Sequence, residues 1–529
     1  MNRSIASDGC NLSWSLSHAG DNGGSHRPIA DRRFAITSLV DHVREPSYRV
    51  SFTGTTHAMT HEAKHKCGVF GIWGASDAAH ITYTAMYAQQ HRGQESAGIA
   101  VSNGKSLSGY TGMGLVPEVF TTDKLDQFEG HAAIGHNRYS TTGSPRASNA
   151  QPLMAEYGGG KQIAVAHNGN LINAGLLRDR YEQQGQIFHT STDTEVIIHL
   201  LAKHHLSATD PMVDSLQHLQ GAYSLVFLFP DRIEAVRDPW GFRPLVLGEM
   251  PDGAPCVASE TVALDAIGAR TIREIEPGEI VTINDDGVTT RRFSAVQTPA
   301  HCIFEHVYFA NPSSRIFGDT VQIVRERLGE KLAEESHVDA DCVIPMPDSG
   351  RSAALGYARA SGISFREGIV PNRYVGRTFI QPSQKQRINS VQLKLNVVGE
   401  VVSGKRIVVV DDSVVRGTTT KGKMAQLRRA GAKEIHLRIS CPPVKHACYF
   451  GIDFPDEKQL IAANKTLDEI RDFLEIDSLH FLSREGMLSC VTPPPENFCT
   501  ACFSGQYRLN VEQPVNKLDL ERHQLRMFS

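Results

Sequence analysis

At 529 residues the chain exceeds the size at which a single hydrophobic core stops growing, so more than one domain is expected. With 40% apolar residues, 21% charged residues and a net charge of −4, it lacks the general basic field that holds nucleic acid, and any phosphate site must be local. Its longest apolar run, around Leu225, falls well short of the ~20 residues that cross a bilayer, no secretory signal is evident, and ten cysteines are too sparse for a disulfide scaffold. A cytoplasmic protein with reduced thiols is the expectation.

Residues 1–66 are rich in Ser, Gly, His, Asp and Arg, show no sustained period and read as a disordered extension that contains a second methionine, Met59. At Cys67 the pattern changes to short β-like runs (CGVFGIW, QIAVAHNG, AYSLVFLF, PLVLGE, EIVTIND) separated by Gly, Asn and Asp turns, with the helical TEVIIHLLAKHH between them. That mixture predicts an α+β domain over 67–300. A different rhythm follows: the strand candidate ADCVIPMP, a DSGR loop, and a helix SAALGYARASG closed by Gly362. The theme repeats in KRIVVVDD, the helix TTTKGKMAQLRRA stopped by Gly431, and EIHLRIS. Strand, helix, strand in this order implies parallel pairing with right-handed crossovers. An α/β domain is therefore predicted over 301–510, with 511–529 as a tail.

The stretch VVVDDSVVRGTTT places Asp411 and Asp412 at the carboxyl end of a buried strand, where open parallel sheets bind ligands. RGTTT then offers a glycine, successive backbone N–H groups and hydroxyls at a helix start, a cradle for phosphate. Acids that merely complement a helix dipole would need no such loop behind them. Carboxylates beside a phosphate cradle suit sugar hydroxyls, directly or through magnesium. These residues resemble the phosphoribosyl pyrophosphate signature of phosphoribosyltransferases. The resemblance implies that Asp411 and Asp412 address the ribose hydroxyls and that Ser413, Arg416, Gly417, Thr418 and Thr419 take the 5-phosphate. It also implies that PMPDSG is the pyrophosphate loop, with Asp348, Ser349 and Gly350 facing the leaving group. One magnesium ion would sit at Ser349, Asp411 and Asp412. Between these motifs NRYVGRTFIQPSQKQR carries Arg373, Tyr374, Arg377, Lys385 and Arg387, either a solvated basic loop or a flap closing over pyrophosphate.

A lone cysteine is more often a small buried hydrophobe than a catalyst. CGVFGIWG together with QQHRGQESAGIA, GHNRYSTTG, AVAHNGNL and TSTDTEV nevertheless resembles the glutaminase domain of the N-terminal nucleophile amidotransferases, a four-layer αββα fold. The resemblance implies cleavage before Cys67, making the preceding segment a propeptide of 66 residues, or only MTHEAKHK if translation starts at Met59. Position one is useful because a free α-amino group, with a pKa of about 7.7–8.0, takes the proton from its own thiol. Further implied roles are an oxyanion hole from Asn168 and Gly169, a fork from Arg138 onto the glutamine α-carboxylate, and an ion pair from Asp193 to its ammonium. Arg92 and Tyr139 would brace the nucleophile's loop.

Four cysteines remain in distinctive contexts: Cys302, Cys448, Cys499 and Cys502. A C-x-x-C pair alone leaves zinc, a redox pair and chance all open. One subset of the glutamine phosphoribosylpyrophosphate amidotransferases, which the chain resembles over about 67–510, carries a 4Fe-4S cluster on cysteines in such contexts, implying a structural cluster here. Cys441 is read as a core thiol. The combined resemblance implies hydrolysis of glutamine at Cys67, passage of ammonia to phosphoribosyl pyrophosphate, and formation of 5-phosphoribosylamine, the first committed step of purine synthesis. Homotetramers restrained by purine nucleotides are expected, and no nucleic-acid or membrane partner. Two rivals are a sugar-phosphate amidotransferase of the glucosamine-6-phosphate synthase type, which should lack VVVDDSVVRGTT, and a non-enzymatic regulator sensing phosphoribosyl pyrophosphate, which has no use for a glutaminase site.

Overall fold

The computed structural model describes residues 67–139, 143–205, 208–372, 395–454, 456–511 and 520. All lie within Met59–Ser529, one of two compact units into which the chain divides. Residues 1–66 and the basic stretch with Arg373, Tyr374, Arg377, Lys385 and Arg387 fall outside the described residues.

The apolar runs after Cys67 form two antiparallel sheets. One has seven strands in the order Arg270–Glu274, Val246–Glu249, Pro255–Ala258, Gly68–Trp73, Ala132–Arg138, Ser96–Ser102, Leu107–Met113. The other has six, ordered Gly287–Arg292, Glu279–Asn284, Arg232–Arg237, Gly221–Phe229, Lys161–Leu171, Leu153–Tyr157. Successive side chains of a strand point to opposite faces. In Gly68–Trp73, Val69 and Trp73 therefore join Ala166, Val226 and Leu228 of the other sheet, while Phe70 and Ile72 pack with Ala79 and Met86 of the helix Ala78–Ala88. Beyond the six-stranded sheet, Val165 and Phe227 pack with Leu177 and Ile197 of the helices Ala174–Gln183 and Thr194–His204. The layers run helix, sheet, sheet, helix. Covering both faces explains why these strands read as nearly continuous apolar runs, each fully buried Val, Leu, Ile or Phe contributing about 1.5–3 kcal/mol.

Further along, four parallel strands stand in the order Cys342–Pro345, Arg406–Asp411, Glu434–Ile439, Ser478–Phe481. The fourth was not expected from the sequence. The helix Arg351–Ser361 ends on Gly362 at φ +73°, and Thr418–Arg429 is followed by Gly431 at φ +92°, as the glycines predicted. Parallel pairing of Cys342–Pro345 with Arg406–Asp411 sends two loops out of the same sheet edge. Met346 N–H donates to the Val410 carbonyl at 2.8 Å, so the Met346–Gly350 loop lies against the start of the acidic loop. Among the described residues no helix is long and apolar enough to cross a membrane.

Candidate active sites

Cys67 stands just ahead of the strand Gly68–Trp73, and the register Gly68 opposite Asn137 brings it beside Arg138 and Tyr139. It is 5% exposed, and its Sγ donates to the Tyr139 carbonyl at 3.4 Å. Burial pushes the thiol up to about 11, against the Tyr139 backbone and Arg138, with Asp193 and Glu95 adding to the rise. Such a thiol is protonated at neutral pH, so attack requires an acceptor for its proton. Two buried histidines each use one ring nitrogen in a hydrogen bond: His136 Nε2 lies 3.0 Å from the His167 carbonyl, and His167 Nδ1 lies 3.1 Å from Thr194 Oγ1.

Asn168 and Gly169 lie on Lys161–Leu171, paired with Ser224 and Tyr223. A Cβ on Gly169 would come within 1.9 Å of the Ala222 carbonyl oxygen, so this approach of the two strands admits only glycine. The buried Asn168 amide reaches Ser259 Oγ at 3.5 Å through Nδ2 and leaves Oδ1 without a partner. Ser259 Oγ already accepts the Val69 N–H at 3.0 Å, so its own proton is best matched by an amide oxygen. With the amide turned over, Oδ1 accepts from Ser259 and Nδ2 becomes a buried donor without a protein partner, the group a developing oxyanion requires. Arg138 and Asp193, 2% and 4% exposed, both act on the Cys67 thiol. Arg138 Nη1 lies 3.8 Å from Glu95, and Asp193 Oδ2 accepts from the Leu171 N–H at 2.9 Å. A guanidinium and a carboxylate acting on one thiol match the two charges of an α-amino acid. Arg92 braces the nucleophile directly, its Nε donating to the Cys67 carbonyl at 3.0 Å.

At the parallel sheet, Asp411 and Asp412 are both buried. Asp411 Oδ1 accepts the Asp412 N–H at 2.9 Å, and Ser413 Oγ donates to Asp412 Oδ2 at 2.6 Å. Burial raises the Asp412 carboxyl, opposed by hydrogen bonds from Ser349, Ser413 and Asp411 and by Arg325. The Ser349 contact joins the two loops. A Cβ on Gly350 would meet the Val410 carbonyl oxygen at 2.4 Å, and Asp348 precedes it in the same loop. Gly417, at φ +75°, turns the chain into the helix Thr418–Arg429, leaving the Thr418 and Thr419 N–H groups and hydroxyls at its open N-terminus. Arg416 Nη2 donates to Gln459 at 2.7 Å.

Cys302 lies on His301–Cys302, parallel to Phe498–Cys499 with the two cysteines in register. With Cys448 and Cys502 they line one small apolar cavity, together with Phe242, Phe450 and Tyr507. Burial raises all four thiols, Cys448 to about 11 and Cys499 to about 12, and neighbouring sulfurs raise three of them further. Among the described residues no three ligating side chains converge on a point fit for one metal ion. Cys441 is buried, with Sγ donating to the Pro442 carbonyl at 3.3 Å.

The chain is 51% identical over 449 residues to Amidophosphoribosyltransferase 2, chloroplastic, of Arabidopsis thaliana, covering 84% of this chain and 79% of that protein. The chain belongs to the amidophosphoribosyltransferase family. A solved structure titled as the allosteric regulatory enzyme of purine biosynthesis superposes with a TM-score of 0.81 at 46% identity, over 85% of this chain and 98% of its own. Glutamine phosphoribosylpyrophosphate amidotransferase from B. subtilis, complexed with ADP and GMP, superposes at 0.80 with 45% identity, over 85% and 99%. Residues 136–266 match the glutamine amidotransferase domain. The amidophosphoribosyltransferase fold is thus the one expected, an N-terminal nucleophile αββα domain followed by a type I phosphoribosyltransferase α/β domain, and the chain is an enzyme of this family. Sequence reading of this amidophosphoribosyltransferase missed Glu95, Ser259, Glu260, Glu305 and Arg325. Each is a polar residue buried or half-buried by contacts distant in sequence, which no local pattern announces.

Proposed function

We propose that this amidophosphoribosyltransferase hydrolyses glutamine at Cys67 after cleavage following Lys66, and delivers the ammonia to phosphoribosyl pyrophosphate at the Asp411–Thr419 loop. The observation that carries the reading is the convergence on one buried thiol of Arg138, Asp193 and Tyr139, with Asn168 joined to the same strand through Ser259. Glutamine lies with its α-carboxylate on Arg138 and its ammonium on Asp193. Cys67 Sγ attacks the side-chain amide carbon while its proton passes to the freed α-amino group of Cys67. Asn168 Nδ2 and the Gly169 N–H receive the oxyanion. The amino group then protonates the leaving nitrogen, ammonia departs, and water cleaves the thioester to release glutamate and restore the thiol.

Ammonia attacks C1 of phosphoribosyl pyrophosphate, the C1–O bond to pyrophosphate breaks, and 5-phosphoribosylamine forms. The helix N-terminus at Gly417–Thr419 holds the 5-phosphate, Asp411 and Asp412 orient the ribose hydroxyls, and Asp348–Gly350 receive pyrophosphate. The hard oxygen donors of Ser349, Asp411 and Asp412 fit magnesium, which when bound neutralises charge on the leaving group. The all-thiolate donor set of Cys302, Cys448, Cys499 and Cys502, gathered at one cavity, suits a 4Fe-4S cluster, with zinc as the alternative occupant of the same sulfurs. Such a cluster, held by these four cysteines, would tie residues around 302 and 448 to the segment near 500. The ADP and GMP of the B. subtilis structure support feedback by purine nucleotides, and a cytoplasmic homotetramer completes the proposal. The test is Cys67→Ser in the full chain. Synthesis from glutamine should vanish while synthesis from ammonium salts persists; loss of both would refute the division of labour.

A further inference from the structure

The glutaminase sheets end at Arg292 and the matched amidotransferase domain at 266, yet one carboxylate beyond both grips the arginine that holds the nucleophile's backbone. Glu305 is fully buried at the start of the short helical turn Glu305–Phe309 that follows Cys302. Its oxygens accept from Arg92 Nη1 and Nη2 at 3.0 and 3.1 Å, and the Nε of the same guanidinium holds the Cys67 carbonyl at 3.0 Å. A forked pair fixes the guanidinium plane, and with it the direction of Nε. Glu305 Oε1 also lies 3.5 Å from Arg243 Nη1, and Arg243 Nη2 donates to the Phe450 carbonyl. The residues flanking Phe450 touch the oxyanion strand: the Tyr449 carbonyl accepts from Asn170 Nδ2 at 2.9 Å, and a Cβ on Gly451 would sit 3.1 Å from the Gly169 carbonyl carbon.

We infer that Glu305 is a positioning residue for glutamine hydrolysis, a common anchor that sets the Cys67 nucleophile and the Asn168–Gly169 strand relative to one another. The inference rests on Cys67 being the nucleophile. Glu260 cannot substitute for Glu305. It also pairs with Arg92, but its second oxygen is committed to the Asn311 N–H and to Ser314 Oγ, each at 2.8 Å. Arg92, Arg243, Glu260 and Glu305 are all buried, and their formal charges cancel. Removal of one partner leaves a buried charge uncompensated, so a variant that keeps the charge is needed beside the neutral one.

The experiment compares Glu305→Gln, Glu305→Asp and Cys67→Ser in the full-length enzyme, with glutamine and with ammonium salts, together with the rate of Cys67 alkylation by iodoacetamide. Misplacement of reacting groups by about 1 Å costs on the order of 10²-fold, so Glu305→Gln should lose about that factor in glutamine-dependent kcat and keep KM for glutamine within about twofold. Ammonia-dependent synthesis should stay within about twofold, Cys67 alkylation should change, and Glu305→Asp should recover part of the loss. A domain staple without a positioning role would lower both activities together and leave Cys67 alkylation unchanged, and that result overturns the inference. So does unchanged glutamine kcat in Glu305→Asp when Glu305→Gln is insoluble. Retention of glutamine-dependent activity in Cys67→Ser would instead overturn the nucleophile assignment itself.

Discussion

Replacing Asn168 by alanine removes the amide proposed to receive the oxyanion and little else. Its one side-chain hydrogen bond among the described residues is the 3.5 Å approach to Ser259 Oγ, and leaving that buried hydroxyl's proton without a partner costs folding about 1–3 kcal/mol. One oxyanion donor is worth about 2.7–4 kcal/mol in the transition state, or 10²–10³-fold in kcat. Arg138 and Asp193 still hold the amino-acid end of glutamine, so KM should move by no more than about threefold. The Gly169 N–H remains, and the residual rate should stay above that of Cys67→Ser. Glutamate release under saturating glutamine, measured beside ammonia-dependent phosphoribosylamine formation, separates the terms. A fall in kcat of less than about tenfold, or a loss carried wholly by KM, would refute the reasoning. Asn168→Asp is the sharper companion, because a carboxylate there repels the developing charge and should be slower still.

Three further outcomes are expected. Burial alone would raise the Glu260 carboxyl, but His91 and Arg92 outweigh it and hold it down at about 2. Because that lies below the ordinary value of about 4.3, its stabilisation is present above pH ~4.3 and is lost as pH falls toward 2, by about 3 kcal/mol. Urea midpoints at pH 3 and pH 6 should therefore differ more in the wild type than in Glu260→Gln. Asp411→Asn with Asp412→Asn should abolish synthesis from ammonia by at least about 10²-fold while glutamine hydrolysis at Cys67 survives; intact phosphoribosyl transfer would show the sugar site to be misplaced. Anaerobically purified protein should contain iron and sulfide and absorb in the visible range, and Cys448→Ser should lose both, whereas stoichiometric zinc in the wild type would exclude the cluster.

The strand runs were legible because burial on both faces writes itself as continuous apolar sequence, as in Gly221–Phe229 and Arg406–Asp411. The glycines after Arg351–Ser361 and Thr418–Arg429 gave the helix ends for a conformational reason. Ser478–Phe481 escaped notice because its alternation of polar and apolar residues, SLHF, spans only four positions, too few to stand out from the surrounding sequence. The motifs around Cys67, Asn168 and Asp411 are contiguous and could be read directly. The network behind them could not: Arg92 meets Glu260 and Glu305 across 168 and 213 positions, and a buried charge looks in sequence like any surface charge. Arg325 is a similar case, a helical arginine whose Nε donates to the His306 carbonyl at 2.7 Å and whose charge bears on Asp412.

The central claim is that the sulfur of Cys67 acts with its own liberated amino group as base. A thiol held up at about 11 by burial needs an acceptor for its proton, and a free amino group with a pKa of about 7.7–8.0 supplies one. The intact mass of enzyme that is active with glutamine tests this most directly. The mass should correspond to a chain beginning at Cys67, with any precursor retaining Lys66 active only with ammonia. Full glutamine-dependent activity in a protein that still carries Lys66 would contradict it.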